Sequence, residues 1–187
     1  MDQRISDIVQ TAMQLFAHYG VGKTSMNEIA AAAGVARQTL YNTFDDKEEL
    51  IFTALLHYAQ KTQENVMQEC ASLTSPEDRI EILFDQLLMT PFEAMQAFPH
   101  LDEVLEIGNK LPDEKRHEIT RAYVDAIGIV LIPYKIRLEE RKIDFLKLCR
   151  FLKSTFSQLK REAVNKQHLR ELFDPLKFTL LFCIRNF

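Results

Sequence analysis

A chain of 187 residues with 47% hydrophobic and 27% charged residues is long enough for one or two packed domains and too apolar to stay disordered. Its net charge of −4 gives no general affinity for phosphate, and no apolar run reaches the roughly 18 residues that a membrane helix requires. No basic start followed by an apolar run and a cleavage site appears, so a cytoplasmic protein without membrane association is expected. Cys70, Cys149 and Cys183 are odd in number and far apart, and the five histidines include no pair spaced for one helical metal face. Neither a disulfide frame, a metal site nor a bound cofactor is expected.

Strand signals are almost absent, and segments of 3.6-residue period fill the chain, which predicts an all-α protein. The first helix is expected over Ile5 to Tyr19, with Ile8, Ala12, Leu15, Phe16 and Tyr19 as one stripe and Gly20 ending it. Gly22-Lys23-Thr24 looks like the end of a phosphate-binding loop. However, its first glycine would fall at Ala17, inside that helix, with no strand before it, so the backbone cradle cannot form. No nucleophile with a base and no defined carboxylate pair can be picked out, so no enzyme is expected.

Ser25 to Leu50 carries the main signal. Ser25 with Glu28 three residues on is a capping box, starting a helix near Met26 whose apolar face is Ile29, Ala30 and Ala33. Gly34 suits a left-handed residue closing that helix, and a second short helix over Ala36 to Phe44 turns Val35, Leu40 and Phe44 inward. Arg37, Gln38, Thr39, Asn42 and Thr43 are left outward, the layout of a helix-turn-helix DNA reader. Arginine can bond guanine in bidentate fashion, glutamine can do so with adenine, and threonine can pack on a thymine methyl. The Tyr41 hydroxyl and Lys47, which opens the next helix, suit phosphates. Residues 1–50 hold four basic and seven acidic side chains, a balance of −3, so the salt dependence of binding should be shallow.

From Lys47 a long helix is expected through Leu50, Ala54, Leu55, Tyr58 and Val66 towards Cys70. Ser75-Pro76-Glu77-Asp78 and Thr90-Pro91-Phe92-Glu93 each combine cap, proline and acid, predicting two more helix starts, and Pro99 and Pro112 mark breaks. Between them lie Phe84, Leu87, Leu88, Met89, Phe92, Met95 and Phe98, followed by Tyr123, Ile127 and Leu131. Such side chains suit either a ligand pocket or an ordinary core. Phe145, Leu148, Cys149, Leu152, Phe156 and Leu159 form one stripe, and Leu169, Leu172, Phe173, Leu176, Leu180, Ile184 and Phe187 another. Phe178, Leu181 and Phe182 surround the other side of the last segment, which therefore needs cover on two faces, from its own chain alone or also from a second copy. Pro175 predicts a kink or break there. Residues 135–170 carry a balance of +7 and residues 51–134 one of −8, read as solvated helix faces or, more sharply, as an anion site or an acidic partner's dock.

The ordered set Phe16, Gly20, Thr24, Ser25, Ile29, Ala30, Ala33, Gly34, Val35, Leu40, Tyr41, Phe44, Lys47 and Leu50 resembles the tetracycline-repressor (TetR) family of bacterial transcription regulators over roughly residues 5–55. The resemblance implies a three-helix DNA-binding domain over residues 1–46 and a helical ligand-binding and dimerisation domain over 47–187. It places Ser25, Asn27, Arg37, Gln38, Thr39, Tyr41, Thr43 and Lys47 at or near DNA. It also favours an effector pocket, for which Phe84, Leu88, Met89, Phe92, Met95, Phe98, Tyr123 and Ile127 are the candidates. A dimer built by the last two helices follows, with Phe145, Leu152, Phe156, Leu176, Leu180 and Ile184 as candidates. Two residues depart from the family pattern: Ala36 stands where a capping Ser or Thr is usual, and Thr43 where His or Tyr is usual. The expected protein is a ligand-responsive repressor that binds palindromic operator DNA as a homodimer and is released by a small molecule of unknown identity. The alternative is a helical adaptor without sequence-specific DNA binding.

Overall fold

The computed structural model describes residues 3–185, so Phe187 lies outside the described residues. Every regular element among them is helical: α1 (Gln3–Tyr19), α2 (Met26–Ala32), α3 (Arg37–Thr43), α4 (Lys47–Cys70), α5 (Pro76–Phe84), α6 (Thr90–Ala97), α7 (Leu101–Lys110), α8 (Asp113–Leu131), α9 (Lys135–Glu140), α10 (Phe145–Glu162) and α11 (Lys166–Ile184). Packing divides them into two units. One comprises residues up to Tyr58 together with Ala94–Ile119, and the other Ala59–Glu93 together with Thr120 onward.

The first unit is built on α1, whose Ile8, Ala12 and Phe16 are buried, while Tyr19 is 57% exposed and leaves the stripe assigned to it. Tyr19 is the last residue of α1, and its ring meets the His18 ring edge-on at 4.8 Å. Ile29 of α2, Leu40 of α3 and Leu50 and Ile51 of α4 complete this core, with Val104 of α7 wholly buried among them. Thus α7, remote in sequence, is a structural member of the unit that carries α2 and α3.

The second unit closes on Ile80, Leu83 and Phe84 of α5, Leu88, Phe92, Ile127 and Val130, and Leu152, Phe156, Leu169 and Phe173 of the last two helices. Arg79 is buried here without a carboxylate partner among the described residues. Its guanidinium donates to the carbonyls of Cys70 (2.9 Å) and Leu73 (3.1 Å) after α4, and of Ile129 (2.8 Å) and Val130 (3.2 Å) in α8. Its positive charge faces carbonyls at two helix C-termini, where the dipole favours a cation.

Ser75 caps α5 as expected, through its Oγ and the Asp78 N–H at 3.3 Å. The second proline signal, at Thr90-Pro91, falls where α6 begins, but α6 follows α5 without a break. A π-turn over Asp85–Met89 joins α5 to α6, and the Thr90 N–H reaches the Asp85 carbonyl five residues back. Pro91 has no N–H to offer the Leu87 carbonyl, which in an α-pattern would be its acceptor. That carbonyl takes a hydrogen bond from Lys160 Nζ at 2.9 Å. Nor does Pro175 break α11, which continues from Lys166 to Ile184 with the proline inside it and exposed.

Candidate nucleic-acid interface

The turn between α2 and α3 is fixed from both sides. Ser25 Oγ accepts the Glu28 N–H at 3.2 Å while the Glu28 carboxylate accepts the Ser25 N–H at 2.7 Å, closing the capping box. These hydrogen bonds hold the Glu28 carboxyl below its ordinary range. At the other end Gly34 adopts φ +66°, with its N–H on the Ala31 carbonyl and the Val35 N–H on that of Ala30. That pattern is a Schellman closure, and it needs a residue tolerant of left-handed backbone. Ala36 gives α3 no side-chain cap.

Leu40 is the buried anchor of α3, so the rest of the helix is presented outward. Arg37, Gln38, Tyr41 and Thr43 are exposed, as are Ser25 and Asn27 beside them, and Thr39 is half-buried. The Arg37 guanidinium lies 5.2 Å from the Tyr41 ring centroid. Gln38 Nε2 donates to Asn42 Oδ1 at 2.9 Å, and Thr43 Oγ1 to the Thr39 carbonyl at 2.9 Å. Arginine, glutamine and threonine therefore occupy the first turn of the helix, the part that reaches base edges in a major groove. Lys47 differs from the rest: its Nζ donates to the Val21 carbonyl at 2.8 Å and the Thr24 carbonyl at 3.2 Å, bracing α4 against the loop before α2. Asp46 Oδ1 accepts the Glu49 N–H at 2.8 Å, so a protein carboxylate already occupies the first turn of α4.

Three residues outside the sequence-derived set hold this surface in place. Glu103 Oε2 accepts the Val21 N–H at 3.0 Å, its Oε1 lies 2.8 Å from His100 Nδ1, and the His100 N–H reaches the Ala17 carbonyl at 3.0 Å. Gly20, at φ +91°, leaves the space the carboxylate uses, because a Cβ there would lie 3.1 Å from both oxygens. No local motif announces Glu103, since its partner is 82 residues away. Gly22-Lys23-Thr24 lies in the loop after α1, with Thr24 Oγ1 buried on the Gly20 carbonyl at 2.9 Å, so the triplet is no phosphate cradle.

The other candidate sets are placed less simply. Phe84, Leu88, Phe92 and Ile127 are buried in the core of the second unit, with Met89 and Tyr123 packed against it. Met95 and Phe98 belong to the first unit, Phe98 being exposed. None of these eight lines the hollow of about 300 Å³ among Gln63, Asp125, Gly128, Ile132, Phe145 and Cys149, or that of about 460 Å³ beside His18, Lys23, Thr24 and His100. Of the dimer candidates, Leu152, Phe156, Leu180 and Ile184 are buried inside their own subunit, and Phe145 and Leu176 are half-buried. The exposed apolar side chains of α10 and α11 are Leu146, Phe151, Phe178 and Phe182. All three cysteines are free, and burial pushes the Cys149 thiol up to about 11. Among the described residues no helix is long and apolar enough to cross a membrane, and no cluster could hold a metal ion.

A capped helix, a glycine turn and a second helix with exposed Arg37 and Gln38 in its first turn have the layout of a helix-turn-helix DNA-binding motif. Residues 8–54 match the family model of the bacterial regulatory proteins, tetR family. It is 28% identical over 147 residues to the HTH-type transcriptional regulator YuxN of Bacillus subtilis, a match that covers 74% of this chain and 50% of that one. It is 36% identical over 69 residues to the HTH-type transcriptional repressor BepR of Brucella suis, covering 37% and 32% respectively. The chain thus spans about half, or less, of the length of these curated relatives. The fold matches the fatty acid degradation regulator FadR of Bacillus halodurans at a TM-score of 0.69 and 22% identity, over 97% of this chain and 96% of that one. It also matches Thermus thermophilus FadR, described in complex with lauroyl-CoA, at 0.63 and 23%, over 95% and 93%. Bacillus subtilis FadR in complex with stearoyl-CoA matches at 0.69 and 17%, over 96% and 99%.

Proposed function

We propose that this chain is a cytoplasmic, ligand-responsive transcriptional repressor that binds a palindromic operator as a homodimer. Residues 1–46 act as the DNA-binding domain and 47–187 as the effector and dimerisation domain. The observation that carries the reading is the exposed row on α3: Arg37, Gln38 and Thr39 address base edges, while Ser25, Asn27, Tyr41, Thr43 and Lys47 keep register on the backbone. Lys47 contributes partly by bracing the loop that presents Ser25. A two-fold protein matches a two-fold DNA site. Phe151, Phe178 and Phe182, which are 60%, 73% and 55% exposed, support the dimer and replace the buried residues as the side chains a second copy covers.

The effector in this reading carries an apolar chain and an anionic head, as acyl-coenzyme A thioesters do. Its support is the ligand-bound structural neighbours and the large Phe and Met side chains of α5, α6 and the turn between them. Ligand binding shifts the population towards a dimer that no longer fits the operator, and only by the difference in its affinity for the two states. Selection of bound duplexes from a random pool tests the core claim. A palindrome with half-sites one helical turn or more apart is expected, and no enrichment by folded, ligand-free protein would leave the helical adaptor. Sedimentation of Phe178→Asp should give a monomer where the parent chain gives a dimer.

A further inference from the structure

The Lys160 side chain lies under the π-turn between α5 and α6, with one Nζ hydrogen on the Leu87 carbonyl at 2.9 Å. An ammonium has three donors, so this carbonyl leaves two without an acceptor among the described residues. Lys153 stands seven residues earlier, on the same face of α10, and Arg161 is the next residue. No carboxylate among the described residues lies within ion-pair distance of Lys153, Lys160 or Arg161, whereas Lys166 pairs with Glu93 and Arg170 with Glu81. Burial first, and then repulsion from Arg161, hold Lys153 below its ordinary range, and burial followed by repulsion from Lys153 lowers Lys160 to about 8. Cations withdrawn from water without a counter-charge are costly, and they recover that cost when an anion arrives.

We propose that Lys160, Lys153 and Arg161 form a seat for a ligand oxyanion, with Lys160 as its floor and the other two as its rim. The Leu87 carbonyl fixes the Lys160 ammonium, and Phe156 and Leu152 on the same helix are buried in the core of this unit. The seat takes a carboxylate or phosphate at the head of an apolar chain. It rests on the effector reading above and names the residues that meet the charged end. The π-turn gives the seat its second role, because whatever draws on Lys160 acts on the joint between α5 and α6.

The test uses the full chain, with laurate, lauroyl-CoA and lauryl alcohol as probes in titration calorimetry and in release of selected operator DNA. Lys153→Gln/Arg161→Gln changes only the rim and leaves the Leu87 hydrogen bond intact; Lys160→Arg and Lys160→Met change the floor. Expected is a loss of at least about tenfold in affinity for the anionic probes in the rim variant, with lauryl alcohol unaffected. Lys160→Arg should bind more tightly than Lys160→Met. Laurate alone responding assigns a carboxylate, and lauroyl-CoA alone assigns a phosphate. A rim variant that binds and is released like the parent chain overturns the seat and leaves the effector reading standing. A parent chain that binds the anionic probes without releasing DNA overturns the effector reading and leaves the seat. A parent chain that binds neither anionic probe overturns the seat.

Discussion

The short helix α3 and the long helices α10 and α11 all display side chains on the surface, but their sequences announce those surfaces very differently. In α3 one buried residue, Leu40, sets the rotation of seven, and the rest of the helix is polar or aromatic and exposed, apart from the half-buried Thr39. In α11 Leu169, Phe173, Leu180 and Ile184 are buried while Phe178 and Phe182, equally apolar, are exposed. Hydrophobicity separates inside from outside where only one face is apolar. Where two faces are apolar, the amount of core available inside the subunit decides which is covered.

The strongest way to break this contrast lies in the second unit, where the buried cation Arg79 donates four hydrogen bonds to carbonyls. Arg79→Met strands four carbonyls at two helix ends and should cost about 3 kcal/mol or more in urea unfolding. A loss below about 1 kcal/mol would mean that this unit is held by apolar packing alone. Lys160 gives the next effect. Its folded value is lowered to about 8 from an ordinary 10.5, so between those pH values the unfolded chain binds more protons. Stability therefore rises as pH increases through that window, by up to about 3 kcal/mol from this group. Subtracting the curve of Lys160→Met isolates the rise, and a flat difference between pH 8 and 10.5 would remove the buried charge from the account.

The first unit is tested on its surface rather than its core. Arg37→Ala should weaken operator binding by about 1–3 kcal/mol per half-site, relax the preference at one base position, and leave the melting temperature unchanged. Equal binding across all bases at unchanged affinity would take Arg37 out of base readout. The smallest effect is a gain: Ala36→Ser adds the cap that α3 lacks and should stabilise it by about 1 kcal/mol, read as a higher melting temperature.

The local motifs were legible because each is completed within a few residues. Ser25 with Glu28, Gly34 after Ala33, and Ser75 before Pro76 all form as their spacing predicts. Thr90-Pro91 marks where α6 begins but not the π-turn that joins it to α5, because a proline without its N–H fits either setting. The Leu87 carbonyl there is met by Lys160, a donor distant in sequence. Glu103 was invisible for the same reason: a single glutamate on an amphipathic helix has no signature until α7 packs beside the loop at Val21.

The sequence by itself determined the helical class, the capped helix-turn-helix and the polar row of α3, because periodicity and capping act over less than one or two turns and need no partner. Tertiary structure alone decided that α7 packs with α1 to α4, that Arg79 closes two helix ends and that four of the six dimer candidates are buried. Each of these depends on which surfaces meet across long stretches of chain, and a residue's neighbours in sequence do not record that.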